Sequence, residues 1–119
     1  MFDPTNPRLL TQTQKTEFDQ VTTGLVLVKL LQEGAPAAQW LMSDRGTRLD
    51  GQLMMHDSST TDKRKALAEW QRILGAGPVT SAPVGDGRAH LAITGSYEGV
   101  PVNVATIVDA DDTPGAVAA

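Results

Sequence analysis

Three residue types of a hydrolase triad stand in a row at His56, Asp57 and Ser58. A general base must lie between nucleophile and orienting acid in space, which consecutive residues cannot arrange. The same three fit a strand end running into a helix cap. His56 and His90 are the only histidines. With Asp50, Asp57 or Asp86 they offer the donor types of a mixed metal site, but no ligand spacing such as His-x-x-x-His is present. Each reads better as a solvent-facing histidine on a strand. Gly75 and Gly77 follow an apolar helical run rather than opening one, so they terminate a helix and do not cradle phosphate. No catalytic residue, metal ligand or cofactor is implied, and the reading leans away from an enzyme.

Basic residues form the next candidate. Lys63, Arg64 and Lys65 open a helical segment, Arg72 follows on it, and Arg45, Arg48 and Arg88 sit near hairpin ends. In the first turns of a helix, cations work against the dipole, a small cost that hints at another use. A nucleic-acid face would combine them with exposed aromatics, and Tyr97 alone looks available. The net charge of −4 opposes phosphate binding in general. A solvated helix face is therefore favoured over a nucleic-acid contact. Trp40 and Tyr97, each near a hairpin, are candidate interface anchors, with core packing as the alternative. Met42 and Met54 add adaptable apolar surface. Met54 and Met55 would point to opposite sheet faces, so at least one lies away from the core or under a partner.

The 119 residues suit one domain, and the absence of cysteine excludes disulfides, thiolate metal sites and a Cys nucleophile. The start of the chain lacks the basic and apolar regions of a signal peptide, and its longest apolar run is far short of the ~20 residues of a membrane span. A cytoplasmic protein is expected, with another protein or a second copy of itself as partner, and no membrane.

These residues must be positioned by helices and strands. Residues 1–12 read as an extended arm, 13–109 as a single α+β domain, and 110–119 as a loose acidic, Ala-rich tail. A first helix is expected from Thr13 or Thr16, with Thr16-x-x-Asp19 as a capping box. Phe18, Val21, Leu25, Val28 and Gln32 track one face, while Val26, Leu27, Leu30 and Leu31 widen the apolar arc. Such a helix is either deeply buried or partly covered by a partner. Gly34 and Pro36 end it. A hairpin follows, with Gln39 to Ser43 and Leu49 to Met55 as its strands. The second helix is capped near Ser59, carries Ala66, Leu67, Trp70, Ile73 and Leu74 inward, and stops at Gly75. Val79 to Gly87 is turn-rich, with at most a short edge strand at Val79-Thr80. Arg88 to Tyr97 and Val100 to Val108 form a second hairpin about Glu98-Gly99.

Thr94 to Val104, with the helix containing Ala68-Glu69-Trp70, resembles small uncharacterised proteins of actinomycetes and their phages. Those close with a hairpin whose turn reads aromatic, any residue, Gly-Val-Pro-Val, and their tails are similarly rich in Ala, Gly and Val. The resemblance covers the second half of the chain. It implies an accessory protein of such a source and assigns no residue a role.

The order αββαββ predicts a four-stranded, mainly antiparallel sheet with both helices on one face, a permuted ferredoxin-like arrangement. Its second and fourth strands would meet at the centre, and its other face would stand partly open. Function is expected in a non-enzymatic binding or adaptor role, through that open face or the first helix. A nucleic-acid accessory role, and a small ligand-binding domain or enzyme, are the alternatives.

Overall fold

A computed structural model describes residues 11–54 and 58–109. Most of the expected arm, the His56 triplet except Ser58, Met55 and the tail lie outside the described residues. Helix α1 spans Gln12–Leu31. Thr11 caps it: its hydroxyl accepts from the Gln14 amide at 3.1 Å, and the Gln14 side chain accepts from the Thr11 amide at 3.0 Å. The start therefore falls before the expected Thr13 or Thr16. Thr16 is already inside the helix, and its hydroxyl donates to the Gln12 carbonyl at 3.0 Å instead of capping. A glutamine at the third helical position closes the box as well as an acid does.

Strands β1 (Ala38–Ser43) and β2 (Arg48–Leu53) make the first hairpin, joined through the tight turn Asp44–Gly46. Helix α2 covers Thr60–Leu74, with the Ser59 hydroxyl accepting from the Asp62 amide and Gly75 in the left-handed conformation at its end. Strands β3 (Thr80–Gly85), β4 (Arg88–Tyr97) and β5 (Val100–Asp109) complete the described elements. Glu98 and Gly99 both take positive φ, as a two-residue hairpin turn demands.

The sheet order is β1-β2-β5-β4-β3. β2 and β5 run parallel at its centre, and the other neighbours are antiparallel. The α+β class, the two helices and the central meeting of the last strand with β2 match expectation. The count of four strands does not. β3 adds a fifth, and every one of its residues is exposed. A strand with no buried side has no alternation to read; backbone pairing to β4 holds it in place.

Alternation puts Leu49, Gly51 and Leu53 of β2, Ala89, Leu91 and Ile93 of β4, and Val100, Val102, Val104, Thr106 and Val108 of β5 on the helix side. Leu67, Trp70 and Leu74 of α2 and Val26 and Leu30 of α1 close over them. Trp70 is 2% exposed, and its indole N–H donates to the Pro36 carbonyl at 2.9 Å. Trp40 meets Trp70 edge-on at 5.4 Å between centroids and lies across Gly51 on the neighbouring strand. Gly95 lets the end of α2 touch β4, since a Cβ there would stand 2.7 Å from the Leu74 carbonyl oxygen.

Gly95→Ala is expected to destabilise the protein by about 1–3 kcal/mol, because backbone must move to admit the methyl. Gly77→Ala, with open space around it, should change stability little. Urea denaturation of the two variants beside the parent checks the contrast.

Candidate interaction surface

Helix α1 buries Thr23, Val26 and Leu30. At about 100° per residue, Val21, Leu25 and Val28 fall on the opposite side. They are 62%, 64% and 53% exposed, and Leu31 beside them is 56% exposed. The arc that the sequence left open between deep burial and coverage is thus split, with Val26 and Leu30 turned in and the other stripe turned to solvent. The reason is the seat of the helix. The Thr23 hydroxyl donates to the Gly46 carbonyl, Gln20 packs on Gly46, and Gly24 lies over Met42 of β1. Asp44, Arg45 and Gly46 all adopt positive φ to form the turn that receives it. Two small or hydroxyl residues in mid-helix, Thr23 and Gly24, let α1 approach that turn closely, and this fixes which apolar side faces inward.

The sheet face away from the helices forms a shallow concavity of about 610 Å³. Strand register places Leu41, Asp50, Asn103 and Thr94 in one row, and Gln39, Gln52, Ala105, Ala92 and Thr80 in the next. Ala92 and Ala105 keep its floor low. Asp50 is its electrostatic centre. It accepts from the Ser43 hydroxyl, from Asn103 Nδ2 at 2.9 Å and from Arg48 Nη2 at 3.2 Å. Burial pushes the Asp50 carboxyl up, but the hydrogen bonds from Ser43, Asn103 and Arg48 together outweigh it and hold it below its ordinary value. Asp50 and Asn103 are 53 residues apart and meet only because β2 and β5 are paired, so no local motif announces them. His90 lines the same face, half-buried.

The residues singled out from sequence are scattered. Trp40 and Met42 sit half-buried on the helix side, packed against the core. Tyr97 is half-buried, and its hydroxyl donates to Glu33. Met54, just past β2, is 50% exposed. Among the cations, Arg45 and Arg48 lie at the β1–β2 turn. Lys63, Arg64, Lys65 and Arg88 lie at the other end of the sheet, where α2 and β4 begin. Arg48 is clamped between Asp44 and Asp50, and Arg72 pairs with Glu69. Lys63 donates to the Ile107 carbonyl at 3.0 Å, beyond the last rung that β2 supplies to β5. The topology does not bring these residues into one basic face. Among the described residues, no three metal-ligating side chains converge, and no helix is long and apolar enough to cross a membrane.

Compared with protein-family models, with curated proteins and with solved structures, the chain matches none.

The depressed Asp50 carboxyl has a stability consequence of definite sign. A carboxylate held lower in the folded than in the unfolded state stabilises above the unfolded pKa, and that contribution is lost as pH falls through the folded one. Asp50→Asn is expected to remove this part of the acid dependence, giving a flatter stability curve below about pH 4. Thermal melts of parent and variant across the acid range provide the comparison.

Proposed function

We propose that the chain is a non-enzymatic protein-binding domain that acts through the outer side of α1. The carrying observation is the uncharged stripe Val21, Leu25, Val28 and Leu31, each more than half exposed on a helix whose other side is firmly seated. Burying a Val or Leu side chain is worth about 1.5–3 kcal/mol, so a row of four left in water marks a surface that gains by being covered. The spacing of three and four residues is that of a seam meant for another packed element. The division of the basic side chains between opposite ends favours protein over nucleic acid as the partner. The order β1-β2-β5-β4, with β2 and β5 parallel, supports reading the sheet as permuted ferredoxin-like with β3 added at its edge, and an accessory role of the kind found in small actinomycete and phage proteins is compatible with this reading.

The concavity about Asp50 supports a second reading, a small-ligand site on the open sheet face. A cleft within the usual volume range with several polar groups converging on it is the ordinary form of such sites. It lacks the enclosing apolar walls that hold small ligands, and the α1 stripe is therefore preferred.

A photo-reactive amino acid placed at Leu25 is expected to cross-link the protein to a binding partner in cells, whereas one at Ser81 on β3 should not. Leu25→Glu should leave the thermal midpoint within a few degrees of the parent's, since the side chain is exposed, while abolishing the complex. Cross-linking that is equal at both positions, or absent from both, would contradict the proposal.

A further inference from the structure

The two edges of the sheet are defended differently. β3 carries Pro83, a register shift between Pro83 and Gly85, and complete exposure. Proline and bulges are devices that stop an edge from pairing with another chain. β1, the other edge, has none of them. Its residues Ala38-Gln39-Trp40-Leu41-Met42-Ser43 contain no charge and no proline, and among the described residues no strand pairs with its outer backbone groups.

The undefended edge adjoins the α1 stripe. Gly24 packs over Met42 of β1, its Cβ position 3.5 Å from the methionine methyl. Val21 and Val28 are the three- and four-residue neighbours of Gly24 on the helix surface, and Leu31 is one turn further. On the opposite sheet face, Leu41 of the same strand is 66% exposed. One flank of the molecule thus presents an open strand with apolar side chains above and below it. Of the charges bordering α1, Lys15 pairs with Asp19 and Lys29 with Glu98, while Glu17, one turn before Val21, stands exposed at the start of the stripe.

We infer that the occupant of this flank is a second copy of the chain, joined through antiparallel β1–β1 pairing about a two-fold axis. The inference rests on the protein-binding reading of α1 and names its partner. An uncharged strand and an uncharged stripe give no sign of charge to select a foreign partner, but they are complementary to themselves. A two-fold axis on β1 sets Leu41 beside its own copy on one sheet face and brings the two α1 stripes together on the other, an isologous contact. Exposed parts of Val21, Leu25, Val28 and Leu31 on the helix side, and of Leu41 on the other side of the sheet, together give apolar surface on the order of 500 Å². With the strand edge added, the contact approaches the ~800 Å² per partner of a stable interface. The product is one ten-stranded sheet whose two outer edges are the defended β3 strands.

The full chain tests this directly. Sedimentation and light scattering over a wide concentration range should show a dimer. Leu41→Lys and Leu25→Glu should each weaken self-association at least about tenfold, while Val84→Lys on β3 leaves it unchanged. Because the chain has no cysteine, Leu41→Cys introduces a single thiol. Mild oxidation should convert that variant to a disulfide-linked dimer, whereas Val84→Cys should stay unlinked. A monomer at every concentration, or a dimer indifferent to Leu41→Lys and broken by Val84→Lys, overturns the inference. The photo-cross-link at Leu25 separates the two levels. An adduct of twice the chain mass supports self-pairing. An adduct with a different protein from a monomeric chain overturns self-pairing and keeps the binding reading, and a monomer with no adduct overturns both.

Discussion

Four rungs, from Leu49–Val102 to Gln52–Ala105, hold the two halves of this molecule together. On one side of that seam lie α1 and the β1–β2 hairpin, and on the other lie β3, β4 and most of the packing of α2. Parallel pairing cannot be closed by a turn, so the chain must cross over between β2 and β5. α2 makes that crossing and in doing so roofs the seam with Leu67, Trp70 and Leu74. The core and the Asp50–Asn103 contact on the open face both presuppose this register. A shift of one residue would turn every β5 valine away from the helices.

The parts that were legible in sequence share a property: a local pattern decided them. Ser59 and Gly75 bound α2 where a cap and a left-handed residue were expected. The alternation of Arg88 to Tyr97 and the Glu98-Gly99 turn set the second hairpin. Strand β3, expected as at most a short edge strand at Val79-Thr80, had no pattern to show, because none of its side chains is buried; backbone pairing and the Thr80 hydroxyl, which donates to the Ala92 carbonyl, tie it to β4. The start of α1 was misplaced because two Thr-x-x patterns compete, and Thr11-x-x-Gln14 fits the capping box while Thr16-x-x-Asp19 has Asp in place of the usual Glu or Gln.

The surface on α1 was half legible. Periodicity separated Phe18, Val21, Leu25 and Val28 from Val26 and Leu30, but two apolar arcs on one helix do not reveal which is turned in. That choice is made by a contact 23 residues away in sequence, between Thr23 and Gly46. Leu41 went unremarked because a single leucine on a strand signals nothing. The absence of charge along all of β1 was visible, and becomes informative once β1 is known to be an edge. Asp50 was noted for its donor chemistry, as a possible metal ligand, without its hydrogen-bond partners. Its real neighbours, Ser43, Arg48 and Asn103, come from three strands and depend on tertiary register.

The parallel seam also sets an order of events. β5, the last of the described strands, occupies the middle of the sheet. As the chain leaves the ribosome, α1 with its hairpin and α2 with β3 and β4 can form from neighbouring residues, yet each carries an unpaired strand edge, on β2 and on β4. Both edges stay open until the β5 residues emerge and insert between them. Those edges are the long, uncovered kind on which other chains can template. The interval before β5 arrives is therefore when this protein is most exposed to aggregation, and a chain stopped short of Val100 would never leave it.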